Sequence, residues 1–308
     1  MVTWPAVLFA LLAAASNALA TVLQRRAART VPLAPGLRLG LLVDLLHRVA
    51  WLGGMLAVIA AACFQALALS QGALSVVQPL FVLELPLALL IGRLVLGGRI
   101  PRGGWVGVTL IVVGLGSALA AAAPTIGTDH APFSRWILAL AVCAGVIATA
   151  VGGALRHGAG GVRAACFAAS AAVAYALTAA LMKDATHAWQ TGGAAVFFAS
   201  WQTYGFALVG VLALFLFENA MQSGPLTASQ PVLTLGDALV SLSLGVTLFD
   251  ERVRTGWWLV PEALGIGLVL WGAELLSRVA LTRDLAGIEQ RPAVAQDDAG
   301  VEPETPSS

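Results

Sequence analysis

Charge is what this sequence has least of. Of its 308 residues only 11% are charged while 59% are apolar, and its mean hydropathy is +0.87. A soluble domain carries about 25% charged residues, so a soluble fold is excluded. The net charge of +1 offers no basic field for nucleic acid, and none is expected as a partner. The three cysteines, Cys63, Cys143 and Cys166, are scattered through apolar runs. That pattern is neither a disulfide framework nor a metal site; it suits small apolar packing. His47, His130, His157 and His187 fall at loops or helix ends without metal-ligand spacing. No Gly-x-x-x-x-Gly-Lys-Ser/Thr phosphate loop occurs. Paired acids for a metal-diphosphate, a Ser/His or His/Glu constellation and cofactor ligands at helical spacing are also missing, so neither an enzyme nor a cofactor is expected. Lysine occurs once. A cationic stretch before the first apolar run is lacking too, so that run is a retained helix, not a cleaved signal peptide.

Long apolar runs fill the rest. A spanning helix needs about 20 apolar residues at about 1.5 Å each. Nine segments qualify, approximately 4–24, 46–69, 73–97, 104–123, 135–154, 162–182, 194–218, 226–248 and 256–278. The expected fold is an all-α polytopic membrane protein embedded in a lipid bilayer. Trp4, Trp51, Trp105, Trp136, Trp189, Trp257 and Trp258 mostly mark span ends, as an interfacial belt should. Beyond about Leu281 the chain is Pro-, Asp-, Glu-, Gln- and Ser-rich and predicts a disordered tail.

Arginine sets the expected orientation. Arg25, Arg26, Arg29, Arg38 and Arg48 occupy the first loop, Arg99 and Arg102 the third, Arg156 and Arg163 the fifth. The second loop has none and the fourth has Arg135 only at its edge. The odd loops and the C-terminus are therefore predicted in the cytoplasm and the N-terminus outside, in a cell membrane. Arg252 and Arg254 in the eighth loop run against this, offset there by Asp250 and Glu251.

The chain also repeats itself. Sliding it so that Gly72 falls on Gly224 also matches Leu74, Gln78, Pro79, Arg102, Gly104 and Trp105 with Leu226, Gln230, Pro231, Arg254, Gly256 and Trp257. Ser16-Asn17-Ala18 loosely resembles Ser170-Ala171-Ala172. Spans one to four thus correspond to spans six to nine. Because an odd number of spans separates the copies, they should be inverted in the membrane, the usual architecture of secondary transporters, with the site near the midplane where the copies meet. The predicted organisation is a first repeat over 1–125, the fifth helix with its loops over 126–160, a second repeat over 161–280 and the tail over 281–308. A tenth helix is not found.

Two acids lie deep in this apolar matrix. Glu84 and Asp237 each fall about eleven residues into the third and eighth spans, near the centre of a ~30 Å core. An ionised carboxylate there costs on the order of 3 kcal/mol, so each must be protonated, face a wet cavity or bind a cation. Thr227, Gln230, Thr234, Asp237 and Ser241 follow at steps of three or four and share one helix face. Glu84 aligns with Gly236, not Asp237, so the two acids are rotated by about 100° relative to each other. Gln78-Pro79 and Gln230-Pro231 open their helices, and Pro86 adds an interruption beside Glu84. Such prolines free carbonyls and predict kinks with a gating or binding role. In the first span Asn17, Thr21 and Gln24 form a further stripe, lining an inner vestibule or bonding helix to helix. Gly103, Gly107 and Gly114 predict a close-packing seam, within the fold or in a homodimer.

The run from Glu251 through Gly256-Trp257-Trp258 to Gly272 resembles the end of the repeat in the drug/metabolite transporter superfamily, with its EamA-like repeats, where a Glu precedes a Gly-rich final helix. The stretch from Leu69 through Gln78-Pro79 to Pro86 is similar to the NIPA-like branch, described as magnesium transporters with about nine helices. In the first copy Gly98-Arg99 stands where the second has Asp250-Glu251, so the family Glu occurs once. The resemblance covers roughly residues 4–279 and implies transport. The expected function is alternating-access movement of a small cationic or amine-bearing solute, with proton coupling. Glu84 and Asp237 would be ion-binding groups, and Gln78, Gln230, Thr234, Ser241, Asn17 and Thr21 the lining. The alternative within the class is Mg²⁺, which keeps most of its water and needs only one or two carboxylates. A membrane enzyme or a non-transporting scaffold are the other classes.

Overall fold

The computed structural model of the chain describes residues 3–29, 49–96, 100–224 and 226–289. Arg38 and Arg48 of the first loop, Arg99 of the third, the Gly98-Arg99 pair and the tail from 290 onward lie outside the described residues, as does the side chain of Thr227. The helices are α1 (Trp4–Arg29), α2 (Val49–Leu69), α3 (Leu74–Leu80), α4 (Glu84–Leu96), α5 (Arg102–Ala122), α6 (Phe133–Arg156), α7 (Gly161–Ala199), α8 (Trp201–Ser223), α9 (Leu226–Phe249) and α10 (Leu259–Glu289). A 3-10 turn, Phe81–Leu83, joins α3 to α4, and another, Gly256–Trp258, leads into α10. Among the described residues there are nine helical segments long and apolar enough to cross a membrane. Their bounds match the hydropathy-based spans within a few residues, except at α7 and at α8, which begins at Trp201 and ends at Ser223 where 194–218 is expected.

That helix has 39 residues where a 21-residue span is expected, and at about 1.5 Å per residue it overshoots a ~30 Å core by far. The charges at Lys183 and Asp184 suggest a span end, but both side chains are buried and paired, so the helix passes through them. It kinks only at Gly193, whose φ of 64° is a left-handed conformation that glycine adopts without steric cost. The last helix likewise continues to Glu289, past the span predicted to end at 278.

The packing pattern occurs twice. Helix α1 packs on α2 and on α3–α4; α7 packs on α8 and α9; α5 and α10 pack on each other, and α6 lies on α7. Gly72 and Gly224, the glycines that align between the copies, serve corresponding contacts. A Cβ at Gly72 would sit 2.6 Å from Ala6 at the start of α1, and one at Gly224 would sit 2.5 Å from the Gly160 carbonyl, just before α7. The small-residue seam of α5 is used inside the chain. A Cβ at Gly114 would fall 2.6 Å from the Gly265 carbonyl of α10, closer than any Cβ tolerates, and one at Gly107 would sit 3.0 Å from the Gly272 carbonyl and run into Leu276.

Two ends of the bundle can be told apart. Thr3 donates to the Gln71 carbonyl at 2.6 Å, the Thr125 amide bonds Arg252 at 2.9 Å, and Leu74 bonds Glu251. The N-terminus and the second, fourth and eighth loops therefore share one end, here the amino-terminal face. Gly160 bonds Ser223 at 2.7 Å at the opposite face, joining the fifth and seventh loops. The eighth loop, which carries Arg252 and Arg254, lies with the other even loops. Its acids do not pair with those arginines: Asp250 pairs with Arg135 at 2.7 Å and Glu251 with Lys183. Trp136 departs from the interfacial pattern, being fully buried between Trp201 and Phe249.

Candidate functional site

Glu84 is the first residue of α4, directly after a 3-10 turn that tightens the third span without taking its backbone out of the right-handed helical region. Pro79 lies within α3 and Pro86 in the first turn of α4, so the 3-10 turn falls between the two prolines. Proline removes a backbone donor in a helix interior but is tolerated in a first turn, which fits a 3-10 turn ahead of Pro86. Helix α9, by contrast, runs through Pro231 without interruption, so the two copies differ here.

Glu84 faces α1. Asn17 donates from Nδ2 to Glu84 Oε2 at 2.7 Å. The Thr21 hydroxyl stands 3.5 Å from Oε1 and 3.1 Å from the Asn17 carbonyl, so its one proton serves either acceptor. The first-span stripe thus reaches the deep acid of the third span. Gln24 instead lies against the backbone of α2 at Gly54. On α9, Ser241 Oγ is 3.5 Å from Asp237 Oδ1, at the outer limit of a hydrogen bond, and that is the nearest donor recorded for this acid. Neither acid has an ion-pair partner among the described residues.

Tyr175 of α7 is partly accessible and packs edge-on to Phe217, ring centroids 6.3 Å apart. In the alignment that puts Ser16 on Ser170, Thr21 falls on Tyr175. Each copy therefore carries one hydroxyl-bearing side chain and one acid, Thr21 with Glu84 and Tyr175 with Asp237, on four different helices.

The remaining expected residues divide. Gln230 and Thr234 are partly accessible, whereas Gln78 and Ser241 are buried. Thr234 and Pro79 border a cavity of about 80 Å³ between α3, α5, α9 and α10. Apart from Ser75, Thr234 and Glu262 its wall is apolar, and neither Glu84 nor Asp237 lines it. A polar solute needs convergent polar groups, so the acids form the better candidate site. His130 and His187 stack at 5.8 Å, but among the described residues there is no cluster of three or more metal-ligating side chains.

The most elaborate polar cluster is one that sequence reasoning passed over. Glu251 is fully buried and accepts from the Leu74 amide at 2.6 Å, the Ser75 amide at 2.9 Å, the Ser75 hydroxyl at 2.6 Å and Lys183 Nζ at 2.8 Å. Lys183 also lies 4.7 Å from the centroid of the Phe249 ring. A Cβ at Gly245 would fall 2.3 Å from Glu251 Oε2, so only glycine leaves the carboxylate room. Next along α7, Asp184 bonds His130 at 2.5 Å and the Trp136 indole at 2.7 Å. The available signal was the single lysine of the chain, placed at the end of a span.

Fold and site together define the class: an all-α polytopic membrane protein with an architecture consistent with membrane transport. The chain belongs to the same family as an uncharacterized protein of Corynebacterium glutamicum. It is 30% identical to that protein over 282 residues, covering 90% of this chain and 94% of the relative. No family model matches the sequence, and no solved structure matches it.

Proposed function

We propose that the protein is a secondary transporter of the drug/metabolite type, with two inverted repeats that move a small cationic or amine-bearing solute by alternating access. The observation that carries this is Glu84, without an ion-pair partner among the described residues, held by Asn17 and neighboured by Thr21 at the 3-10 turn of the third span. Transporter sites are built at interrupted helices, at the midplane between repeats. A carboxylate oriented by neutral donors keeps its charge available to a cation. Asp237, with one distant donor, has spare acceptor capacity for a proton or for the same cation. The repeated helix pairings and the corresponding Gly72 and Gly224 contacts support the inverted duplication. The arginine pattern supports an amino-terminal face outside the cell and the opposite face in the cytoplasm. No enzymatic role is proposed.

The test is purified protein in liposomes, assayed with labelled amines, other metabolites and divalent cations, with and without a proton gradient. Uptake of an amine that is lost in Glu84→Gln and Asp237→Asn is expected. Wild-type uptake in both variants would remove these acids from the site. Uptake of Mg²⁺ alone would move the substrate to the NIPA-like alternative.

A further inference from the structure

Accessibility changes along two of the helices that carry the acids. On the third span, residues from Leu74 to Gln78 are buried and Glu84 is partly accessible. On α9, Ser241, Leu244, Leu248 and Phe249 are buried while Gln230, Thr234 and Asp237 are partly accessible. On both, this sealed stretch lies toward the amino-terminal face, whereas on α1 and α7 buried residues continue toward both faces, as Ala10 and Ala20 or Leu181 and Ala168 show. The polar knitting lies toward the amino-terminal face too: Glu251 with Lys183 and Ser75, Asp184 with His130 and Trp136, Arg135 with Asp250, Thr125 with Arg252.

We propose that α3 is a hinged gate over the site at the amino-terminal face, latched by Glu251 and Lys183. The seven-residue helix is separated from α4 by the Phe81–Leu83 turn, and its start is held by three bonds to one carboxylate that belongs to the eighth loop. Lys183 fixes that carboxylate from α7, so the latch joins both copies of the repeat. Glu84 begins α4 immediately beyond the hinge, and any swing of α3 is transmitted to the residue that binds the solute. With the latch made, the site is closed at the amino-terminal face. Releasing Glu251 from Leu74 and Ser75 lets α3 swing and exposes the site at the amino-terminal face. Gly245 is required because the latch carboxylate occupies the space of its side chain. This gate rests on the transport reading of the site, but its test does not use transport.

Cys63, Cys143 and Cys166 are replaced by Ala and Ser241→Cys is introduced, a near-isosteric change at a sealed position on α9, the helix that packs against α3. A membrane-impermeant maleimide is then applied to sealed vesicles of either orientation. With the latch intact, labelling from the amino-terminal face is slow. Glu251→Gln or Lys183→Met is expected to raise that rate at least tenfold without raising the rate from the opposite face. An unchanged rate in either folded variant overturns the gate. Should neither yield folded protein, Ser75→Ala, which removes one hydroxyl, decides in the same way: a threefold or greater rise supports the latch and no rise overturns it. If labelling responds but no solute is transported by the unmodified protein, the gate stands and the transport reading falls. If Glu84→Gln abolishes uptake while labelling ignores Glu251, only the gate falls.

Discussion

Lys183, the single lysine of the chain, forms a 2.8 Å ion pair with Glu251, and both side chains are sealed from solvent. Removing one partner of a buried pair strands the other's charge and costs about 3–5 kcal/mol, whereas removing both costs far less. Lys183→Met and Glu251→Gln should each lower the thermal midpoint in detergent, and the double variant should recover most of the loss. A double variant as unstable as the sum of the singles would show that the two side chains act independently.

Among the described residues Asn17 makes the one short hydrogen bond to Glu84, at 2.7 Å. A bond to a charged acceptor is worth about 1.5–3 kcal/mol. Asn17→Ala should therefore weaken solute binding by roughly tenfold or more, since each 1.4 kcal/mol is about a factor of ten. Binding measured by calorimetry on the purified protein checks this, and an unchanged affinity would separate Asn17 from the site.

Ser241 contributes much less to Asp237, because their contact is 3.5 Å long. Ser241→Ala is expected to change uptake by less than threefold, while Asp237→Asn removes the acid itself and should abolish coupled uptake. Equal losses in the two variants would mean that the contact shortens in the working protein.

The seam between α5 and α10 offers a stability test free of the site. A side chain at Gly114 would meet the Gly265 carbonyl, which cannot rotate away, whereas one at Gly116 would meet open space. Overpacking costs about 1–3 kcal/mol and more against rigid backbone. Gly114→Leu should lower the thermal midpoint clearly and Gly116→Leu should leave it unmoved. Equal effects would argue against a packed interface here.

Most of the fold was legible because membrane spans are a local property. Length and apolar content decide them, and the bounds of α2, α5, α6 and α9 follow within a few residues. Helix α7 departs from this, because charge ordinarily marks a span end: Lys183 and Asp184 are buried by partners from loops far along the chain, and no local window contains Glu251 or His130. The depth of Glu84 and Asp237 was legible for the same local reason, but not their partners.

The sequence by itself determined an all-α membrane protein, its duplicated segments and the position of two acids within apolar spans, since periodicity, composition and spacing are written along the chain. Only the tertiary structure shows that Asn17 donates to Glu84, that the glycines of α5 close on α10 and that Glu251 clasps α3 and Lys183 together. Each of those contacts joins residues far apart in the chain, and only the packing of one helix against another brings them together.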